Sequence, residues 1–240
     1  VALILVTGSS AGLGLNTAID LAARGHAVVV HARDSSRRPP EPAAAAWNGI
    51  LYGDLADLDQ VRDVAHQAAH FGRFDTVVHN AGALHHSDAV KVNTIAPYAL
   101  TALMDKPARL IYLSSSMHRG GSTNLQGLET GAASYGDSKL WVTALALALA
   151  HRWPTTTSHA VDPGWVPTRM GGAHAPDDLT AGHQTQLWLA THPDVTPVTG
   201  GYWYHKRVQE PDPSAADEDF QARLLAALES HTGIPLHDRL

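Results

Sequence analysis

The sequence predicts a doubly wound α/β fold, in which a parallel sheet is covered by helices on both faces within one domain spanning residues 1–240. Three observations predict it. Short apolar runs alternate with stretches of helical periodicity along most of the chain. The strand candidates are continuously apolar rather than alternating, as strands buried on both faces are. A glycine-rich turn joins the first strand to the first helix.

The elements follow in order. Val1–Val6 is an apolar, β-branched run that stops at Thr7-Gly8. After the turn, Leu15, Ala18, Ile19 and Ala22 share one helical face, and Arg24-Gly25 supplies a stop. Ala27–His31 is a second buried strand. Arg33–Ala46 is rich in proline and arginine and ends in four consecutive alanines, so a surface connection with at most a short helix is expected. Ile50–Tyr52 is a third strand, and Leu58–Phe71 places Leu58, Val61, Val64, Ala65 and Ala68 on one helical face. Asp75–His79 reads as strand, Val90–Met104 as helix and Arg109–Leu113 as strand. A polar loop follows over Met117–Ala133, then a long helix over Tyr135–Arg152. Ser158–Val161 leads into Asp162-Pro163-Gly164. A helix over Asp178–Thr191, a strand at Tyr202–Tyr204 and a helix over Ala215–Ser230 complete the chain.

Composition excludes several classes of function. The chain has 240 residues, 44% of them hydrophobic, with 17 basic and 23 acidic side chains and a net charge of −6. That apolar fraction supports a full core and argues against disorder. The acidic balance argues against a nucleic-acid partner. Cysteine is absent, which removes disulfides, thiolate metal sites and a cysteine nucleophile. The longest largely apolar stretch, Trp141–Ala150, is far shorter than the roughly 20 residues of a membrane span. The first residues lack the marks of a signal peptide. A cytoplasmic protein with no membrane partner is expected. Sixteen histidines include an i, i+4 pair, His66 and His70, and the adjacent His85-His86. No third ligand is evident, so no metal is expected.

In such sheets ligands bind beyond the carboxyl ends of the strands, and the distinctive residues fall there. Gly8, Gly12 and Gly14 follow strand one, Arg33 strand two, Asp54 strand three, Asn80-Ala81-Gly82 strand four, Ser115 strand five and Pro163-Gly164 strand six. The glycine turn directs backbone N–H groups and a helix N-terminus toward an anion, and its missing side chains let a pyrophosphate approach. A tight strand-to-helix turn without a ligand is the alternative. Tyr135 and Lys139 lie one helical turn apart on one face, where an ammonium favours phenolate over phenol.

Thr7-Gly8-Ser9-Ser10-Ala11-Gly12-Leu13-Gly14, Asn80-Ala81-Gly82, Asn93, Ser115, Tyr135-Gly136-Asp137-Ser138-Lys139 and Pro163-Gly164 together resemble the short-chain dehydrogenase/reductase family, in the family's order. Leu113-Ser114-Ser115-Ser116-Met117-His118 and the tail Phe220–Leu225 are similar to its retinol-dehydrogenase-like branch and bacterial relatives. The resemblance implies a Rossmann fold and a nicotinamide cofactor. It implies that Tyr135 is the acid/base, that Lys139 binds the cofactor ribose and lowers the tyrosine pKa, that Ser115 holds the substrate carbonyl, and that Asn93 anchors a water linking Lys139 to solvent. Among the neighbouring serines, Ser115 is chosen because the family places its serine second after the strand.

Cofactor contacts are expected from Gly8, Ser9, Ser10, Gly12, Leu13, Gly14, Arg33, Asp54, Leu55, Asn80, Ala81, Gly82, Tyr135, Lys139, Pro163, Gly164, Val166 and Thr168. Arg33 favours NADP(H) by pairing with a 2′-phosphate; a register one residue later would bring Asp34 to that place and favour NAD(H). Asp54 is expected to meet the adenine amino group. Met117, His118, Leu125, Leu128, Trp165 and Met170 are candidate walls for a hydrophobic carbonyl or alcohol substrate. The apolar surroundings of the Tyr135–Arg152 helix suggest a homodimer, coverage by the chain's own loops or C-terminal helix being the alternative. The leading reading is an NADP(H)-dependent oxidoreductase. The competing one is a non-catalytic dinucleotide-binding regulator.

Overall fold

The computed structural model describes residues 1–41 and 47–237. The chain runs β1 (Leu3–Val6), α1 (Gly12–Ala23), β2 (Ala27–Ala32), β3 (Gly49–Tyr52), α2 (Leu58–Ala69), β4 (Thr76–His79), α3 (His86–Val90), α4 (Ala96–Leu103), β5 (Arg109–Leu113), α5 (Gln126–Thr130), α6 (Tyr135–Arg152), β6 (Thr157–Asp162), α7 (Leu179–Thr191), β7 (Tyr202–Tyr204), β8 (Arg207–Gln209), α8 (Pro213–Ala216) and α9 (Glu218–Thr232). Among the described residues these strands form one sheet in the order β3-β2-β1-β4-β5-β6-β7-β8. All neighbours are parallel except the β7–β8 hairpin. The order reverses between β1 and β4, which opens a crevice at the carboxyl rim.

The apolar strands are buried from both sides. Leu5, Val29, Val77, Leu110 and Tyr112 face a core shared with α2, α4, α6 and α9. Ile4, Val6, Val28, Val30, Val78 and Ile111 face the layer built on α1 and α7. The expected double coverage is therefore present.

Helix α6 begins with a capping box: Ser134 Oγ accepts from the Asp137 N–H, and Asp137 returns a bond to the Ser134 N–H. Every residue from Ser138 to Ala150 is buried. Its outer side is covered by the chain's own α8 and α9, where Ala215, Phe220, Leu224 and Leu228 join the same core. The apolar surface that suggested a partner copy is thus met within one chain.

Several details depart from the sequence-based expectation. The helix expected from Val90 starts at His86 and contains a π-helical turn at Lys91–Ile95. The loop before Tyr135 holds a 3-10 turn at Ser116–Gly120 and the short α5. The β8 strand was not anticipated; its three residues are exposed, and its turn uses His205 and Lys206 at φ +47° and +61° rather than glycine or asparagine. The connection after Arg33 forms a 3-10 turn at Ser35–Arg37, while residues 42–46, including the alanine run, lie outside the described residues.

Candidate active site

A cavity of about 560 Å³ opens at the carboxyl rim, around the crevice between β1 and β4. Of the anticipated cofactor contacts, Gly8, Ser10, Gly12, Leu13, Gly14, Arg33, Asp54, Leu55, Asn80, Ala81, Gly82, Tyr135, Lys139, Pro163 and Thr168 line it. Ser9, Gly164 and Val166 do not, nor do Asn93 and Ser115. His31, Leu84, Asp88 and Val92 line it without having been singled out, as do Arg37, which follows Arg33 closely, and His85 of the adjacent histidine pair.

The glycine turn is shaped by packing as well as by any ligand. Gly8 and Gly12 have φ of +61° and +59°, in the left-handed region. A side chain at Gly8 would come within 2.7 Å of Ala81 Cα, and one at Gly14 would run into Asn80 Nδ2. A side chain at Gly12 would meet the Thr168 methyl at 3.4 Å. Ala11 stands at the N-cap of α1 and offers no side-chain bond, so the first N–H groups of the helix lack a capping partner beside the cavity. Ser9 is a structural tie instead of a cofactor contact: its hydroxyl donates to Val6 O at 2.8 Å and accepts from the His31 N–H at 2.9 Å.

His31 braces the same turn. Its Nδ1 accepts from the Gly8 N–H at 3.1 Å, which places the ring proton on Nε2, donated to Gly53 O at 2.9 Å. Burial lowers its pKa to about 4, keeping the ring neutral. Asn80 braces the turn from β4. Its Nδ2 donates to Thr7 O and Gly8 O, while the Asn80 and Ala81 N–H groups donate to Thr7 Oγ1. Asn80 Oδ1 is buried without a partner beside the cavity. His79, which precedes Asn80, is buried in the core, stacked on Tyr112 and bonded to Thr101 Oγ1 at 3.0 Å.

At the far end, Arg33 Nε lies 3.5 Å from Asp54 Oδ2, with both side chains partly exposed. Asp54 Oδ1 accepts from the Ala56 N–H. Each Asp54 oxygen has one partner within the chain, and the side chain still lines the cavity with acceptor sites to spare. Asp34 is not part of the cavity lining and caps the 3-10 turn by accepting from the Ser36 N–H at 2.9 Å.

At the near end, α6 brings Tyr135 and Lys139 beside the loop that follows β5. Lys139 Nζ is 5.6 Å from the centre of the Tyr135 ring and donates to Leu113 O at 2.8 Å. The Ser115 side chain lies near enough to Tyr135 to oppose the rise in its pKa, and its hydroxyl accepts from the Met117 N–H at 3.2 Å. Burial lowers the Lys139 pKa to about 8. Burial also raises the Tyr135 pKa; the Ser115 hydrogen bond opposes this, and the Asp162 charge adds to it. The expectation that Lys139 lowers the phenol is therefore not met in the free protein, where desolvation dominates.

Asn93 lies in the π-helical turn. Its Oδ1 accepts from the Ala83 N–H at 2.8 Å, and its Nδ2 donates to Ala83 O and Ser138 Oγ, each at 2.9 Å. With both amide protons committed, the side chain joins the β4 loop to the first turn of α6; a water here would have to donate to Oδ1 or bind the backbone.

The candidate substrate walls separate. Met170 lines the cavity, and Met117, Trp165 and Met170 are 56%, 61% and 41% exposed. His118 is instead fully buried, accepting at Nε2 from the Asp212 N–H at 2.9 Å and donating from Nδ1 to Ser115 O at 2.8 Å. Leu128 lines a different cavity, of about 400 Å³, beside His231. Leu125 packs against the core.

The residues present fit a dinucleotide: a glycine cradle, an uncapped helix start and an orphaned amide oxygen surround one cavity. Among the described residues no three histidine or acidic side chains converge as a metal site needs. Among the described residues no helix is long and apolar enough to cross a membrane.

Comparison with known proteins agrees with this geometry. The family model described as short chain dehydrogenase matches residues 2–178. The short-chain dehydrogenase chyC of Penicillium rubens is 36% identical over 256 residues, covering 97% of this chain and 98% of its own length. Retinol dehydrogenase 13 of Mus musculus is 29% identical, covering 92% of this chain and 80% of its own. A solved structure from Mycobacterium paratuberculosis has a TM-score of 0.82 at 23% identity, covering 98% of this chain and 95% of its own, a likeness of fold. The chain belongs to the short-chain dehydrogenase/reductase family, in its retinol-dehydrogenase-like branch, and is a nicotinamide-dependent oxidoreductase.

Proposed function

We propose that this protein moves a hydride between NADP(H) and the carbonyl or alcohol carbon of a hydrophobic small molecule, with Tyr135 as the acid/base. The observation that carries the reading is the pairing of Tyr135 and Lys139 at the cavity's edge, where the buried Lys139 Nζ lies 5.6 Å from the centre of the phenol ring, with Ser115 on the adjoining loop. The bound nicotinamide supplies the hydride donor or acceptor.

Tyr135 gives its proton to the substrate oxygen during reduction and takes it back during oxidation. Ser115 holds that oxygen. Lys139 supplies positive charge next to the phenol and binds the cofactor ribose. The raised phenol pKa keeps Tyr135 protonated in the free protein, the form reduction requires. Arg33 and Arg37 at the cavity wall, with Asp34 turned onto Ser36, support NADP(H) over NAD(H). Exposed apolar side chains at Met117, Trp165 and Met170 support a hydrophobic substrate. The covering of α6 by α8 and α9 supports a monomer as the working form.

NADPH oxidation with a panel of ketones and aldehydes tests the reading. Turnover is expected, and Tyr135→Phe is expected to lose nearly all of it while NADPH binding stays close to wild type. Cofactor binding with no turnover across the panel favours the regulator; full activity in Tyr135→Phe removes that residue from the chemistry.

A further inference from the structure

We propose that His118 is a positioning residue for the serine that holds the substrate oxygen: its Nδ1–H grips the Ser115 carbonyl while its Nε2 moors the serine's turn to the loop before α8. This rests on the reading of Ser115 given above.

Ser115 stands just outside the sheet. Strand β5 ends at Leu113, and the Ser114 N–H still bonds Val161 O at 2.7 Å. Ser115 then caps the 3-10 turn Ser116–Gly120, with its hydroxyl accepting from the Met117 N–H at 3.2 Å. A short 3-10 turn has weak internal bonding. A group that must hold a reacting atom therefore needs its neighbours to fix it.

His118 supplies that support from three residues on. The Asp212 N–H can only donate, so Nε2, at 2.9 Å from it, is the acceptor and the ring proton sits on Nδ1. Nδ1–H donates to Ser115 O at 2.8 Å, and the His118 backbone N–H donates to the same oxygen at 3.0 Å. The side chain and main chain of one residue thus clamp the serine's peptide group. The ring is fully buried, with the Tyr202 ring centre 4.6 Å away, and burial lowers its pKa, which keeps it neutral. Arg119 adds a second tie to the same loop by donating to Glu210 O. On its other side the turn presses on the first turn of α6. A side chain at Gly136, the residue after Tyr135, would come within 3.1 Å of Met117 O, and one at Gly121 within 2.6 Å of Gly136 O. The serine's turn is therefore wedged between the helix that carries Tyr135 and the loop at Glu210–Asp212, and His118 bonds both the serine and that loop.

Two substitutions separate the two bonds. His118→Asn keeps an amide donor at the place of Nδ1 and loses the acceptor for Asp212; His118→Gln keeps an acceptor at the place of Nε2 and loses the donor to Ser115. Both lose the ring, so both are expected to lower the denaturation midpoint. With NADPH and a carbonyl substrate, kcat is expected to fall about 10- to 100-fold in His118→Gln and to stay within about threefold of wild type in His118→Asn. The NADPH dissociation constant, read by fluorescence titration, is expected to be unchanged in both. Equal kcat in the two variants overturns the inference, and so does a loss in His118→Gln matched by weaker NADPH binding. Imidazole nitrogen chemical shifts in uniformly labelled wild type, assigned through the backbone, need no variant to fold and no turnover. They are expected to show His118 protonated at Nδ1 and bare at Nε2 at neutral pH; the opposite tautomer or an imidazolium overturns the inference, and the oxidoreductase reading survives it. Absence of turnover in wild type counts against that reading instead, while the chemical shifts still report on the grip of His118.

Discussion

Arg33 concentrates the question of cofactor choice in a single side chain. It reaches across the cavity mouth to Asp54 at 3.5 Å and keeps about half its surface in water. A guanidinium so held is pre-oriented for a phosphate yet little committed to its partner, since an exposed ion pair contributes roughly 0–1 kcal/mol. Arg33→Ala is expected to raise the KM for NADPH by roughly 10- to 100-fold, matching a lost charged hydrogen bond of about 1.5–3 kcal/mol, with little change for NADH. Steady-state kinetics with both cofactors decides, and equal losses for the two would remove Arg33 from discrimination. The same scale separates what the chain reveals. The glycines, Asn80, Tyr135 and Lys139 were legible because their types and spacing are unusual. His31 and the inward commitment of Ser9, Asn93 and His118 were not, because a polar side chain shows in sequence neither its partner nor whether its bonds are already spent.

Among the elements, α6 was read correctly in extent and ambiguously in meaning. Apolar residues around a whole helix demand cover on every side, but periodicity does not say whether that cover belongs to the same chain. Here α9 supplies it through Phe220, Leu224 and Leu228, all fully buried. Leu228→Ala is expected to destabilise the fold by about 2–5 kcal/mol, seen as a lower denaturation midpoint, without a change of oligomeric state. Light scattering at micromolar concentration is expected to give one chain; a stable dimer would show that another surface pairs. The π-helical turn at Lys91–Ile95 and the exposed β8 escaped the sequence for a related reason. One is a shift of hydrogen-bond register inside an ordinary helical pattern, and the other, at three residues with one apolar side chain, is too short to establish a strand pattern.

At the scale of the whole molecule, burial lowers the pKa furthest at His31, to about 4, His79, to about 3, and His159, to about 4, from 6.5, among the described residues. In the unfolded chain these rings take protons below about pH 6.5, while the folded rings refuse them until pH reaches about 4 or lower. Their contribution is therefore complete above the unfolded value and is lost as pH falls through that window. Each unit of depression is worth about 1.4 kcal/mol, a large share of a typical stability of roughly 5–15 kcal/mol. The Tm is expected to fall continuously between about pH 6.5 and about pH 4; a flat Tm there contradicts the assignment. Residue order alone was enough to read the parallel sheet, the family and the rim where the chemistry gathers. These follow from local apolar runs, glycine geometry and one-turn spacing, all written along the chain. Packing settled that α9 covers α6, that Asp34 bonds Ser36 outside the cavity lining and that His118 is buried against the loop before α8. Those outcomes depend on which distant segments meet, and on desolvation and charge that arise only once they are packed.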